Sequence, residues 1–471
     1  MTTRPPQPLQ VAIMAAGKGT RMKSTKPKVL QTLAGLPLLD HVIATAQRLN
    51  ASRTVVITGH QAESVESAVR ATWQDKAKVE FALQMPQLGT GHAMQQAAHL
   101  LDDDATVLVL SGDVPLTETH TLERLIQASE GQHLALLSVH LADPSGYGRI
   151  VRSPSGAVEA IVEHKDASEA QRQIGEVYSG IMAAPARALK SWLLRLNNHN
   201  AQQEYYLTDV VTLALQDGVQ VMAVTTDDPM QVEGVNSPRQ LAALERVFQL
   251  RQANKLMDAG VRLADPSRVD VRGELVCGQD VEIDVNCVFS GRVELGNNVC
   301  IGAHCVLSDC TLADGVQVHP FTHIDGQNQA IPIGAGSLIG PFARLRPGAK
   351  LGQDVHIGNF VEVKNSTLAD GAKANHLAYL GDAVVGERVN YGAGSITANY
   401  DGANKHKTTI QADVHVGSNC VLVAPVTIGA GGTIGAGSTI TKDTPENALS
   451  VTRAKQLSID NWARPVKKKT S

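Results

Sequence analysis

A glycine-rich segment near the amino terminus has the composition of a phosphate-binding loop. It reads Ala15-Ala16-Gly17-Lys18-Gly19-Thr20-Arg21-Met22, and Lys26-Pro27-Lys28 follows. The two glycines would let backbone N–H groups approach a phosphate closely, and the basic side chains would add positive charge there. The spacing matches neither a Walker A loop nor a dinucleotide-binding fingerprint. The alternative is a glycine-rich turn whose basic side chains are solvated.

A second concentration of reactive side chains lies between residues 373 and 405. It contains His376 and Tyr379, then Asn390-Tyr391-Gly392-Ala393-Gly394, then Asn399-Tyr400-Asp401-Gly402-Ala403-Asn404-Lys405. A neutral imidazole is suited to accept a proton near neutral pH, so His376 is the candidate general base. Taken alone, however, a histidine is more often a surface residue without a catalytic role.

This second group interrupts a repeat whose period is six residues. Every sixth position from 333 to 363 is aliphatic, and the same stride returns between 416 and 440. A helix repeats at 3.6 residues and a strand at 2, so neither explains the pattern, whereas short strands joined at regular corners do. The repeat predicts a left-handed parallel β-helix over residues 262–471, with an irregular tail from about residue 446.

The first half of the chain alternates apolar runs with helical patterns. The predicted strands are Val11–Met14, Thr54–Thr58, Val79–Leu83, Thr106–Leu110 and Leu134–Val139, and the predicted helices are Pro37–Leu49, Ala62–Ala71 and Gly91–Leu101. This order predicts an α/β, Rossmann-like domain with a mostly parallel sheet that binds ligands at the carboxyl ends of its strands. Residues 237–261 form a helical linker, which gives domains 1–236, 237–261 and 262–471.

Composition excludes several classes of protein. The 42 Lys and Arg residues nearly balance 46 Asp and Glu, so a nucleic-acid partner is not expected. No segment is long and apolar enough to insert into a membrane. The six cysteines form no C-x-x-C pair, which argues against a zinc site and favours buried, reduced thiols in a cytoplasmic protein. The basic run Lys467–Lys469 is interpreted as a solvated tail.

The amino-terminal motifs resemble those of the sugar-nucleotide pyrophosphorylase family, whose signature is G-x-G-T-R followed by K-P-K. Further motifs support the resemblance: Gln84, Gln87-Leu88-Gly89-Thr90, Ser111-Gly112-Asp113, Gly146-Tyr147-Gly148-Arg149, Glu163-His164-Lys165-Asp166 and Glu233-Gly234-Val235-Asn236. Together with the second group, they resemble the bifunctional bacterial enzymes that make UDP-N-acetylglucosamine. The resemblance covers about residues 11–469 and keeps the order of the motifs.

This resemblance implies that an oxygen of N-acetylglucosamine-1-phosphate attacks the α-phosphorus of UTP and that pyrophosphate leaves. Asp113 and Asn236 would hold Mg²⁺, while Arg21 and Lys28 would stabilise the transferring phosphoryl group. A turn or helix cap is the alternative role for Asp113. By the same resemblance, the contacts to UTP and the UDP-sugar would come from Met14, Ala15, Ala16, Gly17, Lys28, Gln84, Gly89, Thr90, Ser111, Gly112, Asp113, Gly148, Glu163, Tyr178 and Asn236.

Two of these positions depart from the usual pattern of the family. Tyr178 stands where the family usually has an asparagine that contacts the sugar, and Ser111 stands where an aromatic residue is frequent. Because a tyrosine can still donate a hydrogen bond, we expect uridylyl transfer to be retained.

The carboxyl-terminal motifs resemble the glucosamine-1-phosphate N-acetyltransferase half of the same enzymes. The resemblance implies that His376 deprotonates the amine that attacks acetyl-CoA, and that Glu362 orients the imidazole ring. Lys405 lies on an inserted loop, Tyr400 to Lys407, and in hexapeptide acyltransferases such loops reach across to a neighbouring subunit. A solvated charge on a β-helix loop is the alternative interpretation of Lys405. Glucosamine-1-phosphate would be bound by Arg346, Lys364, Tyr379 and Asn390, and acetyl-CoA by Ala393, Asn399, Tyr400, Ser418, Ala436 and Arg453.

The sequence thus predicts a bifunctional, homotrimeric enzyme with acetyl-transfer sites between subunits, because a β-helix with exposed faces needs partners to cover them. By resemblance, its product would feed peptidoglycan and outer-membrane lipid synthesis. Two alternatives remain: a nucleotidyltransferase with a regulatory β-helix, and an assembly subunit without catalysis. The polar group around His376 argues against the first, and Gly17, Arg21, Lys28 and Asp113 argue against the second.

Overall fold

A computed structural model describes residues 7–467. The chain divides into two compact units, with the boundary between Phe248 and Gln249. This boundary lies inside the long helix Pro238–Asp258, which occupies most of the predicted linker 237–261. Lys468 and Lys469 of the predicted basic tail lie outside the described residues.

Within residues 7–248, the first unit is built on a nine-stranded sheet. The strands are β1 (Leu9–Met14), β2 (Arg53–Thr58), β3 (Val79–Leu83), β4 (Thr106–Ser111), β5 (Leu134–His140), β6 (Arg149–Arg152), β7 (Val158–Val162), β8 (Glu176–Pro185) and β9 (Val221–Thr226). The helices are α1 (Leu38–Arg48), α2 (Ala62–Trp73), α3 (Thr90–Ala97), α4 (Thr119–Ser129), α5 (Glu169–Arg172), α6 (Ala186–Arg195), α7 (Val210–Gln216) and α8 (Pro238–Asp258). The main strand order is β9-β5-β8-β4-β1-β2-β3.

The sheet is parallel except at one central strand and one hairpin. Strand β8 is antiparallel to both β4 and β5, and β6 and β7 pair with each other as an antiparallel hairpin. All five strands that the sequence predicted are present, with ends shifted by no more than one or two residues. The antiparallel strand was not expected, because a strand buried on both faces has the same apolar composition in either direction.

Helices cover both faces of this sheet, so neighbouring residues of a strand enter different cores. In β4, Val107 and Val109 pack in one apolar cluster with Met94 and Trp192. Leu108 and Leu110 belong to the cluster on the opposite face. The alternation follows from the two-residue period of a strand, and it fixes which side chains remain at the strand ends to form a site.

The second unit is a parallel β-helix with three faces. The strands of the first face are Arg262–Leu263, Glu282–Ile283, Cys300–Ile301, Gln317–Val318, Leu338–Ile339, His356–Asn359, Lys373–His376, Asn390–Tyr391, His415–Val416, Thr433–Ile434 and Leu449–Ser450. Those of the second are Val269–Cys277, Cys287–Leu295, Val306–Leu312, His323–Asp325, Arg344–Leu345, Glu362–Lys364, Tyr379–Gly381, Ile396–Ala398, Val421–Val423 and Thr439–Ile440. Those of the third are Ile331–Ile333, Lys350–Leu351, Thr367–Leu368, Ala383–Val385, Thr408–Ile410 and Val426–Ile428. Three of the second-face strands are long enough to continue onto the third face.

The aliphatic positions of the six-residue repeat point into the β-helix. Ile339, Leu345 and Val363 are fully buried in one continuous apolar core. Four cysteines share this core as free thiols, namely Cys287, Cys305, Cys310 and Cys420. The predicted burial of thiols is therefore confirmed for these four, whereas Cys277 and Cys300 are partly exposed.

The carboxyl-terminal segment follows the last coil without regular structure. Residues 451–467 are exposed throughout, including Leu457, Trp462 and Val466. Among residues 7–467, no helix has the length and apolar character needed to cross a membrane.

One buried side chain joins the middle of α8 to the first coil of the β-helix. Gln249 is 2 % exposed. Its Nε2 donates to the Val271 carbonyl at 2.9 Å, and its Oε1 accepts from the Val271 N–H at 2.7 Å. A buried backbone group without a partner costs about 1–3 kcal/mol, so this pair of bonds stabilises the second unit.

We therefore predict that Gln249→Ala lowers the free energy of unfolding of the second unit by about 2 kcal/mol or more, because both Val271 groups lose their partner. Urea unfolding followed by circular dichroism measures this loss. Asn254→Ala, at an exposed position of the same helix, is the matched control and should change stability by less than about 0.5 kcal/mol. Equal midpoints for the two variants would contradict the assigned role of Gln249.

Candidate active sites

Parallel pairing brings the glycine-rich loop beside the Ser111-Gly112-Asp113 segment. Met14, the last residue of β1, is paired in register with Ser111, the last residue of β4. The Gly112 N–H donates to the Met14 carbonyl at 2.9 Å. Because the carboxyl ends of parallel strands meet at one edge of the sheet, the loop and Asp113 share that edge.

Three polar side chains converge at this edge. The Lys28 ammonium donates to Asp113 Oδ2 and, at 3.2 Å, to Asn236 Oδ1. The two oxygens predicted to hold Mg²⁺ therefore contact one and the same cation. Carboxylate and amide oxygens are hard donors that fit Mg²⁺, which needs few protein ligands when phosphates and water complete its shell.

A cavity of about 260 Å³ opens next to these side chains. Nine of the predicted nucleotide-site residues line it: Met14, Ala15, Ala16, Gly17, Lys28, Gln84, Gly89, Thr90 and Asp113. Glu204 also lines the cavity and was not predicted, since a lone glutamate in a polar segment carries no signal. The geometry thus unites residues that lie about 100 positions apart in the sequence.

Two glycines allow the loops around this cavity to pass close to other chain segments. Gly19 has φ +58°, and a Cβ there would lie 2.6 Å from Lys28 Cβ. Gly89 has φ +103°, and its Cβ would lie 2.6 Å from the Tyr205 carbonyl oxygen. The buried Gln84 holds the second turn, because its Nε2 donates to the Gly89 carbonyl at 2.9 Å.

Arg21 is exposed on the short turn Thr20–Met22, beyond the lining of the cavity. The next residue, Met22, is buried in an apolar cluster with Leu33 and Leu244 and anchors the turn. This arrangement leaves the Arg21 guanidinium exposed, and the structure does not bring it into the cavity that the other predicted nucleotide-site residues line.

The predicted sugar contacts form a separate, more buried group. A Cβ on Gly148 would lie 3.7 Å from Glu163 Oε1, so these two residues are adjacent. Burial raises the pKa of the Glu163 carboxyl, and the hydrogen bond that it accepts from Thr208 Oγ1 at 3.0 Å opposes this shift. The Tyr178 hydroxyl is buried and has no hydrogen-bond partner among the described residues. Burial, followed by the charge of Glu163, raises the pKa of Tyr178 well above its ordinary value.

Arg149 connects the segments that carry Gly148 and Glu163. Its side chain is 1 % exposed, and it donates to the Tyr147 carbonyl, to His164 Nδ1 at 3.2 Å and to the Arg172 carbonyl at 3.4 Å. In the sequence, Arg149 stands out only as the last residue of the motif Gly146-Tyr147-Gly148-Arg149. The missed signal was a charged residue directly before the buried Ile150 at the start of β6, where a buried charge needs several partners to be tolerated.

The second group of reactive residues is arranged by the stacking of β-helix coils. One column at the corner between the first and second faces holds Asn359, His376, Ala393, Ser418 and Ala436. Each carbonyl of this column accepts a hydrogen bond from the next coil, at 3.0 Å for Asn359, 3.3 Å for His376 and 2.8 Å for Ala393 and Ser418. Three predicted acetyl-CoA contacts therefore lie in line with His376. Arg453 joins them, because its Nη1 donates to the Ala436 carbonyl at 2.7 Å.

The predicted partner of His376 is not the one that the structure provides. His376 Nδ1 lies 2.9 Å from Asn359 Oδ1. Glu362 instead accepts from Arg346 at 2.8 Å and from Arg344 at 3.4 Å, and no hydrogen bond joins it to His376 among the described residues. Glu362 is paired in register with Tyr379 on the second face, so it belongs to the predicted sugar-phosphate group.

Positive charge is concentrated at the far end of that second face. The nearby Lys405 lowers the pKa of Lys364, and the charge of Arg346 lowers it further. Three cations held this close together match the charge of a phosphate group. The sequence leaves a solvated charge as the alternative for Lys405, and its proximity to Lys364 could not be predicted from their separation of about 40 residues.

The loop of residues 399–407 projects from the opposite corner, between the second and third faces. Asn399 is buried and donates to Asp382, and the exposed Tyr400 hydroxyl donates to the Gly402 carbonyl at 2.6 Å. The structure therefore separates Asn399 and Tyr400 from the His376 column by the width of one face. Asn390 lies elsewhere again, on the first face, where it pairs with Lys373.

Comparisons with known proteins agree with this architecture. A model of the MobA-like NTP transferase domain matches residues 11–181, and a model of the bacterial transferase hexapeptide (six repeats) matches residues 333–365 and 407–442. The chain is 67 % identical to the bifunctional protein GlmU of Paracidovorax citrulli, over 98 % of each chain. It is 57 % identical to the bifunctional protein GlmU of Aromatoleum aromaticum, over 98 % of this chain and 99 % of that protein.

These matches extend across both units and confirm the predicted family, with its nucleotidyltransferase and acyltransferase activities. The chain belongs to the GlmU family of bifunctional transferases.

Proposed function

We propose that the two units catalyse successive steps in the synthesis of UDP-N-acetylglucosamine at the residues described above. The observation that carries the first step is the convergence of Asp113 and Asn236 on the Lys28 ammonium beside the glycine-rich loop. An oxygen of N-acetylglucosamine-1-phosphate attacks the α-phosphorus of UTP, and the bond to the bridging oxygen breaks to release pyrophosphate. Lys28 and Arg21 stabilise the charge that develops on the phosphoryl oxygens.

Mg²⁺ belongs to this proposal as the cation that Asp113 and Asn236 would hold. When bound, it would neutralise charge on the phosphate oxygens and orient them for displacement. The uracil ring would lie in the cavity near Gln84, Gly89 and Thr90. Gly148 and Glu163 would hold the sugar, because a carboxylate is an acceptor for a sugar hydroxyl.

The second unit supplies the acetylated sugar phosphate. The neutral amine of glucosamine-1-phosphate attacks the thioester carbon of acetyl-CoA, and His376 takes the proton that the nitrogen loses as the amide forms. The carbon–sulfur bond breaks, and the coenzyme A thiolate receives the proton from His376. Arg346, Lys364 and Lys405 would bind the phosphate, while Tyr379 and Asn390 would contact the sugar.

A homotrimer is part of the proposal, because each chain exposes an apolar corner next to His376. The rings of His304, Phe321, Phe342 and Phe360 stack along this aromatic corner, with centroids 4.8, 4.9 and 5.1 Å apart. Phe360 is 56 % exposed, and Leu377 on the following coil is 61 % exposed. A contiguous exposed apolar surface favours a partner, and a second copy would bring its 399–407 loop to this corner.

The first prediction from this proposal separates the two reactions. His376→Ala should abolish acetyl transfer and spare uridylyl transfer, while Arg21→Ala should do the reverse, because the two side chains lie in different compact units. Each variant is incubated with UTP and Mg²⁺ together with either glucosamine-1-phosphate and acetyl-CoA or supplied N-acetylglucosamine-1-phosphate, and the products are identified by mass. If the unmodified protein formed UDP-N-acetylglucosamine only from supplied N-acetylglucosamine-1-phosphate, the β-helix would be regulatory and the assignment of His376 would fall.

A second prediction concerns Glu163. Because burial raises the pKa of its carboxyl, the folded state binds a proton more tightly than the unfolded state, and stability falls as pH rises through the interval between the two pKa values. Glu163→Gln should therefore raise the melting temperature at pH 7 while it weakens binding of N-acetylglucosamine-1-phosphate.

Thermal unfolding at pH 5 and pH 7, together with the KM for N-acetylglucosamine-1-phosphate, provides the measurements. Glu159→Gln, at an exposed position of the β6–β7 hairpin, is the control and should change neither. A lower melting temperature for Glu163→Gln at pH 7 would refute this account of the carboxylate.

The third prediction tests whether the acetyl-transfer site is shared between chains. His376→Ala and Asn399→Ala should each lose acetyl transfer, and unfolding and refolding a mixture of the two should restore part of it. Recovery arises because some interfaces would combine an intact His376 with an intact Asn399 of the partner. Sedimentation measures the oligomeric state, and absence of recovery in a confirmed trimer would mean that both residues act within one chain.

A further inference from the structure

The His376 ring has one hydrogen-bond partner among the described residues, and that partner is a side chain with no assigned role. Strand His356–Asn359 pairs in register with strand Lys373–His376, so Asn359 lies directly opposite His376 on the preceding coil. Asn359 Oδ1 is 2.9 Å from His376 Nδ1. The contact is therefore fixed by backbone pairing as well as by the side chains.

The chemistry of the two atoms determines which imidazole nitrogen carries the proton. An amide oxygen only accepts hydrogen bonds, so Nδ1 of a neutral His376 must carry its hydrogen to bond with Asn359. The lone pair is then on Nε2, which is the nitrogen that can accept a proton from a substrate amine. In the other tautomer, Nε2 would carry the hydrogen and could not act as a base.

The residue that the sequence predicted to orient the His376 ring has other partners. Glu362 is held by Arg346 and Arg344 on the second face. A carboxylate engaged with two guanidinium groups is oriented by them and is a poor additional acceptor for the ring. The amide also differs from a carboxylate in carrying no charge, so it selects the tautomer without favouring the protonated imidazolium.

We propose that Asn359 is a positioning residue for acetyl transfer, which holds the His376 ring in the tautomer whose Nε2 accepts the proton. This inference rests on the proposed role of His376 as the general base. Asn359 itself does not touch the reacting atoms. It acts through the ring, in the same way that hydrogen-bonded partners orient catalytic histidines in other enzymes.

Two substitutions test the proposal. Asn359→Ala removes the acceptor, and we expect kcat for acetyl transfer to fall by about 10- to 100-fold, in the range typical for such supporting contacts, while KM for glucosamine-1-phosphate changes little. Asn359→Asp keeps an acceptor but adds a negative charge that favours the imidazolium. Because the base must be neutral, the acidic limb of the pH profile of kcat/KM should then move to higher pH.

The controls separate this proposal from a general loss of structure. Uridylyl transfer by the same preparations should equal that of the unmodified protein. Asn286→Ala removes a comparable contact, in which Asn286 Nδ2 lies 3.3 Å from the His304 ring on the adjacent coil, and should leave acetyl transfer unchanged.

Two different failures can be told apart. If His376→Ala abolishes acetyl transfer but both Asn359 variants keep the kcat and the pH profile of the unmodified protein, the positioning role is wrong and the general base stands. If His376→Ala retains acetyl transfer, the proposed function of that residue is wrong. A uniform loss of activity in Asn359→Asp at every pH would indicate a merely structural role and would also overturn the proposal.

Discussion

In-register pairing of parallel strands is the constraint on which both candidate sites depend. In the first unit, it aligns the end of β1 with the end of β4 and so joins the glycine-rich loop to Asp113. In the second unit, it stacks successive coils so that Asn359 lies opposite His376. Backbone hydrogen bonds set these positions, and the side chains supply chemistry at places that the backbone has already determined. A shift of one residue would turn each reactive side chain to the other face.

The sequence predicted the fold best where buried side chains recur at a short, regular interval along the chain. Apolar runs predicted the strands of the first unit, and the six-residue stride predicted the β-helix, because both patterns record which side chains enter a core. The partner of His376 was missed because its spacing is not a multiple of six. Successive members of the His376 column are 17, 17, 25 and 18 residues apart, and the insertion at residues 399–407 accounts for the longest interval.

Contacts between distant segments could not be predicted for a different reason. Lys28 contacts residues 85 and 208 positions away, and only the folded domain brings them together. The resemblance to a family supplied these residues, but it did not supply their geometry. It also assigned the orientation of His376 to Glu362, whose carboxylate is held by two arginines instead. Arg149 shows the same limit, since its burial depends on partners from three segments.

The corner beside the His376 column gives one more physical indication of function. On each coil, the residue that directly follows the column position has a left-handed backbone. Phe321, Phe342 and Phe360 are among these residues, with φ between 55° and 61°. A bulky residue costs about 1–2 kcal/mol in this conformation, which glycine and asparagine adopt more readily. The same corner does carry Gly394, Asn419 and Gly437 in the coils after His376. The backbone is the same along the whole corner, so the change from aromatic to small side chains supports our proposal that an apolar partner surface lies before His376 and a slender ligand, such as the pantetheine arm of acetyl-CoA, after it.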